Sequence, residues 1–145
     1  MNSFASRALV IVAGAGTAVA LAAAPALAAD NTFTLAAGKA SAYGTYDRMM
    51  SIPERPVPPV AVNGTLAVNG RNRCAVVQIA YNGPADGIAW RTLNSLCGRG
   101  KTNFAARSEF LWGGGRPEVR LCTGNTVARA EQGRDCDVFT PAADF

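Results

Sequence analysis

Histidine is absent from this 145-residue chain. That one absence removes Ser-His-Asp and Cys-His nucleophilic catalysis, imidazole acid–base chemistry and His-ligated zinc together. Close cysteine pairs are also lacking. Cys74, Cys97, Cys122 and Cys136 include no C-x-x-C-like spacing, which argues against a four-cysteine zinc site. Charge is sparse, with 14 Lys and Arg against 10 Asp and Glu and a formal net charge of +4. The bases are scattered singly, and Arg71/Arg73 and Arg99/Lys101 come nearest to clusters. No basic stripe interleaves with aromatic residues, so nucleic acid is not an expected partner. Gly100-Lys101-Thr102 resembles the end of a phosphate-binding loop, but Ser95 stands where that loop needs its first glycine. A long amphipathic helical pattern is missing as well. Neither a metal nor a cofactor is expected.

What is present begins with a leader. Residues 1–7 are short and polar apart from Phe4, with one positive charge at Arg7. Ala8 to Ala24 is continuously apolar or small, and Ala26-Leu27-Ala28 supplies small residues at −3 and −1 of a cleavage site. The expectation is a secretory signal peptide over residues 1–28. An uncleaved anchor is the competing reading, opposed by Pro25 and by the weakly hydrophobic, Ala-rich composition. The mature chain then starts at Ala29, is extracellular, and has no membrane contact once the leader is removed.

Outside the reducing cytosol, four cysteines in a small chain read as two disulfides. Three connectivities are possible, and neighbours in sequence are favoured: Cys74–Cys97 and Cys122–Cys136. The stretch Arg73–Gly100 supports the first. Ala75, Val77, Ile79 and Tyr81 fall on one side of a period-2 strand, and Asn82 to Gly87 is a run of turn formers. Ile88 to Leu96 then returns towards Cys97, and pairing about the turn brings Cys74 and Cys97 together at the open end.

The rest of the chain reads as strands and turns. Residues 29–38 are small and polar apart from Phe33 and Leu35, and are expected to be loosely ordered. Lys39 to Asp47 alternates as a first strand. Pro53, Pro56, Pro58 and Pro59 make a stiff, extended connection. Val60 to Val68 is a second strand, with Asn69-Gly70 as its hairpin turn into Cys74. Thr102 to Trp112 alternates most cleanly, with Phe104, Ala106, Ser108, Phe110 and Trp112 on one face. Pro117 to Cys122 places Val119 and Leu121 inward and Glu118 and Arg120 outward. Asn125 to Gln132 fits a strand or two turns of helix, and Asp135 to Thr140 is the last strand. The fold expected over residues 39–140 is an all-β antiparallel sandwich or small barrel, followed by a tail at 141–145.

Gly64-Thr65-Leu66, then Cys74-Ala-Val-Val77, Cys97-Gly98, a Phe-bearing strand and Val119-Arg-Leu-Cys122 before a last cysteine resemble a large class of small secreted actinobacterial proteins. The resemblance covers about residues 60–138. It implies a disulfide-stapled β-sandwich and no particular activity, since members are generally of unassigned function.

Few residues present themselves as a site. Glu109 and Glu118 are the carboxylates placed on neighbouring strands, and both read as outward-facing and solvated rather than as a glycosidase pair. Asp135 and Asp137 flank Cys136 without the alternating ligands of a calcium loop. Trp90, Trp112, Tyr43, Tyr46 and Tyr81 read first as core or sandwich-edge packing. Trp112, next to a Gly triplet, is the candidate for an aromatic platform that binds a cell-envelope glycan. Glu54 and Arg55 are the candidates if the Pro-rich loop 53–59 is an inhibitor-like or partner-binding loop. Arg55 precedes Pro56, which makes a poor protease substrate bond. The composite expectation is a secreted, non-enzymatic binding or structural module with an extracellular partner. A serine-protease inhibitor and a small carbohydrate-binding or carbohydrate-active protein are the alternatives.

Overall fold

A computed structural model of the chain describes residues 31–49, 59–109, 111 and 115–142. Among the described residues eight strands and one short α-helix follow in order: β1 (Thr32–Ala37), β2 (Ala40–Arg48), β3 (Val60–Val68), β4 (Cys74–Asn82), β5 (Ile88–Cys97), β6 (Gly100–Ser108), β7 (Val119–Gly124), α1 (Val127–Glu131) and β8 (Asp135–Phe139), with a single 3-10 turn at Pro84–Asp86 between β4 and β5. They form two antiparallel four-stranded sheets, β1-β2-β3-β6 and β5-β4-β7-β8. The sandwich is therefore the architecture, and no barrel closes. Among the described residues no helix is long and apolar enough to cross a membrane.

Period-2 alternation drives both sheets together. Leu35, Ala42, Val62, Leu66 and Phe104 point inward from the first sheet. Ala75, Val77, Ile79, Val119 and Leu121 meet them from the second. In the first sheet the ladder lines up Phe33, Gly44, Gly64 and Phe104 across all four strands. The ring of Phe104 lies over Gly64, and its centroid is 6.3 Å from that of Phe33. Phe139 joins from β8, 5.5 Å from both Phe33 and Tyr46. Aromatic groups at these spacings contribute beyond the area they bury.

β4 departs from simple alternation, because every residue from Cys74 to Ala80 is buried. The strand is central in its sheet, so its second face is covered as well. There α1 packs its buried Ala130 against Val76 and Cys122. Thr126 caps that helix by accepting the Arg129 N–H at 3.2 Å, which decides the 125–132 stretch in favour of helix. Tyr81 does not continue the inward row; it lies past the core at the strand end, 39% exposed.

Both expected disulfides are present and join directly paired residues, Cys74 with Cys97 and Cys122 with Cys136. Such bridges, two in one small domain, belong to an oxidising compartment.

Three further expectations need correction. Residues 32–37 are not loosely ordered but form β1. Phe33, Leu35 and Ala37 are all buried, and Thr34 and Ala36 between them face solvent. Asn69-Gly70 is not a hairpin turn. Both edges of β3 are occupied by β2 and β6, so the chain must cross to the other sheet to begin β4. Gly70 also lacks the positive φ that an Asn-Gly hairpin turn requires. β6 ends at Ser108 rather than running on to Trp112; Phe110 and Trp112 lie outside the described residues.

The sheet edges are closed by side chains. Arg91 donates to the Arg107 carbonyl at 2.8 Å and Asn94 to the Asn103 carbonyl at 2.6 Å, tying β5 to β6 at one seam. At the other, Asp137 accepts the Ala36 N–H at 2.8 Å, joining β8 to β1. Exposed backbone groups on an edge strand are templates for aggregation, and these hydrogen bonds occupy them.

Candidate functional site

The residues singled out in the sequence do not converge. Glu54, Arg55, Trp112 and most of the Pro-rich loop lie outside the described residues. Glu109 follows the end of β6. Glu118 precedes β7, where it accepts a hydrogen bond from the Thr140 hydroxyl at 2.7 Å. Asp137 is used at the sheet seam. Gly100-Lys101-Thr102 opens a strand with no helix after it, so the phosphate-loop likeness ends with the local sequence. Among the described residues no group of three or more His, Cys, Asp or Glu is placed to hold a metal ion.

The remaining aromatic residues divide between core and surface. Tyr46 is buried, and its hydroxyl donates to the Pro117 carbonyl at 2.9 Å. Burial holds that hydroxyl protonated well above its ordinary range, against the opposing pull of Arg116 and Arg48. Trp90 lies under Arg120, whose guanidinium carbon is 4.0 Å from the ring centroid. Tyr43 stands 46% exposed on the outer face of the first sheet.

Arg120 begins a polar chain across the second sheet. Its Nε donates to Gln78 at 2.8 Å, Gln78 donates to Thr92 at 3.2 Å, and Thr92 donates to Glu131 of α1 at 2.8 Å. Gln78 is only 3% exposed, so these partners satisfy an amide that would otherwise be costly to bury. Partial burial also lowers the Arg120 pKa. The chain is internally satisfied and its arginine is covered by a ring on one side, which makes it a structural element that anchors α1.

A different region has the form of a site. At the end of the sandwich where β1 turns into β2 and β3 crosses to β4, a cleft of about 750 Å³ opens. Lys39, Arg71, Arg73, Thr123 and Asp135 are among its walls. A second hollow of about 450 Å³ adjoins it beside α1, walled in part by Arg129 and Arg134. The two share Arg73, Thr123 and Asp135. All five basic residues are exposed, and among the described residues no ion pair holds their side chains. Among the described residues Asp135 is the one carboxylate lining either hollow, and no aromatic side chain lines them.

Local sequence explains the cleft only in part. Arg71 and Arg73 are neighbours in the β3–β4 crossing, and the sequence already groups them. Lys39 comes from the β1–β2 turn, and Arg129 and Arg134 flank the end of α1 more than fifty residues later. Only the crossing between sheets puts all five at one end. Mutual repulsion among them, unrelieved by partners, raises the local potential and favours an anion there.

Comparison of the chain with models of protein families, with curated proteins and with solved structures gives no match in any of the three.

Proposed function

We propose that this protein is a secreted, non-enzymatic binding module that works in the extracellular space or at the cell envelope, with the cleft at the β1–β2 end as its binding site. The observation that carries the reading is the set of five exposed cations around one cleft, none held by an intramolecular ion pair among the described residues. Folding alone gives no reason to gather like charges without partners, since their repulsion opposes the compact state. The leader-like residues 1–28 and the two disulfides support secretion. The lack of histidine and the separate use of the available carboxylates support a role in binding rather than catalysis.

Amide chemical-shift mapping of the isotope-labelled mature protein against a solubilised envelope extract tests this. Perturbations are expected at residues 38–40, 70–74 and 123–135. A response confined to the opposite end, around the β4–β5 turn, would place binding elsewhere. Intact mass of the supernatant protein should correspond to a chain starting at Ala29; a supernatant species retaining residues 1–28 would contradict secretion by leader cleavage.

A further inference from the structure

Resting on that reading of the cleft, we infer that its ligand is an anionic sugar or polyol polymer whose charged groups are separated by neutral, hydroxyl-bearing units. Three features of the site lead there. First, the two hollows adjoin and share Arg73, Thr123 and Asp135 in their walls, so together they offer an extended surface that suits a chain rather than one small anion. Second, four of its five cations are arginine, whose planar fork engages carboxylate or phosphate oxygens in pairs and is more weakly hydrated than an ammonium. Third, among the described residues no aromatic side chain lines the two hollows, so these walls offer no platform on which nucleobases or the face of an uncharged sugar would stack.

Asp135 supplies the spacing. It sits where the two hollows join, across the ladder from Thr123, with Lys39 and Arg71 on one side and Arg129 and Arg134 on the other. A ligand anion placed at the junction would meet a like charge. A hydroxyl placed there would instead donate to the Asp135 carboxylate, and the Thr123 hydroxyl offers a further partner. Two cationic stations with a carboxylate between them thus favour a polymer with interrupted charge over one that is charged at every unit. Carboxylate and phosphodiester polymers share this chemistry.

The test uses the full mature protein with five defined probes. Hyaluronan oligosaccharides carry one carboxylate per disaccharide, and poly(glycerol phosphate) carries phosphodiesters spaced by glycerol. Polyphosphate is charged continuously, dextran is neutral, and an oligothymidylate represents nucleic acid. At least one of the two spaced polymers should bind more tightly than polyphosphate, dextran and oligothymidylate, and the tighter of the two identifies the anion. Its affinity should fall with added salt, as binding through released counterions does. Replacing Arg71 and Arg73 together by Ala should weaken it about tenfold at moderate salt. Arg107→Glu changes net charge equally on the outer face of the first sheet and should leave affinity within about twofold. Asp135→Asn should raise polyphosphate affinity about threefold or more, because it removes the repulsion at the junction. Equal or tighter binding of polyphosphate or oligothymidylate by the unaltered protein overturns the inference, as does an Asp135→Asn variant with unchanged discrimination. If none of the five probes binds while envelope extract still perturbs residues 38–40 and 70–74, the polymer class is wrong and the cleft assignment stands. If neither occurs, both fail.

Discussion

Replacing Gly64 by alanine should be among the most damaging single-methyl additions available to this fold. Gly64 faces the core between Gly44 and Phe104 in the ladder. A Cβ there would collide with the Tyr43 carbonyl oxygen, lie 2.6 Å from Phe104 Cζ and lie 3.1 Å from the Gly44 Cα. The clash with the ring can be relieved by rotating Phe104, at the expense of its packing against Phe33. The other two obstacles cannot move in this way, because they belong to the adjacent strand's backbone. Overpacking by a methyl group in a close-packed interior costs about 1–3 kcal/mol. A backbone obstacle puts this site at the upper end, about 3 kcal/mol, against the roughly 5–15 kcal/mol of a typical domain. Urea unfolding followed by tryptophan fluorescence reads it directly. The midpoint should fall with the m-value unchanged, since the surface exposed on unfolding is the same. Adding Phe104→Leu should recover only a minor part, because the backbone obstruction persists. A Gly64→Ala midpoint equivalent to less than about 0.5 kcal/mol would refute the reasoning and imply that the strands separate readily at this point.

Removing Cys74 and Cys97 together, as serines, should cost about 2–4 kcal/mol, and non-reducing peptide mapping of the unaltered protein should recover the 74–97 and 122–136 linkages alone. Tyr46 gives a pH test. Its folded-state pKa is raised above the unfolded value of about 10, so its contribution is complete below pH 10 and is lost as pH rises further. Stability measured by denaturant midpoint should therefore decline above about pH 10, and Tyr46→Phe should reduce that decline while costing about 1 kcal/mol at neutral pH through the lost bond to Pro117.

The architecture was legible in the sequence where one face of a strand is buried and the other wet. β2, β3, β6 and β7 all carry that alternation, and each was placed to within a few residues except for the far end of β6. The cysteine pairings were legible because both link strands close together in sequence. β1 was not, because its inward set is only Phe33, Leu35 and Ala37, and threonine, asparagine and alanine around them resemble a terminal loop. The Asn69-Gly70 reading failed for a different reason. Local turn chemistry is silent on whether the next strand joins the same sheet, which depends on what already occupies the edges of β3. The cleft was the least legible of all. Scattered single bases look like a solvated surface until topology gathers Lys39, Arg71, Arg73, Arg129 and Arg134 from three separate connections.

The placement of the two disulfides ties the fold to that cleft. Cys74 is itself a wall residue, and Thr123 and Asp135 directly follow and precede the bridged Cys122 and Cys136. Neither bridge lies near the β4–β5 turn. On the chain-entropy model a staple at the open end closes the longer loop and stabilises more than one beside the turn, by about 1 kcal/mol. Rigidity at the cleft points the same way. Four like-charged arginines held on short connections would spread apart if the strands beneath them frayed, and strand ends are where fraying begins. Closing β4 to β5 and β7 to β8 at this end holds the cationic walls at a fixed separation, which would lower the ordering cost of the proposed binding. The same two staples thus stabilise the sandwich and fix the strand ends that carry the cleft's cations.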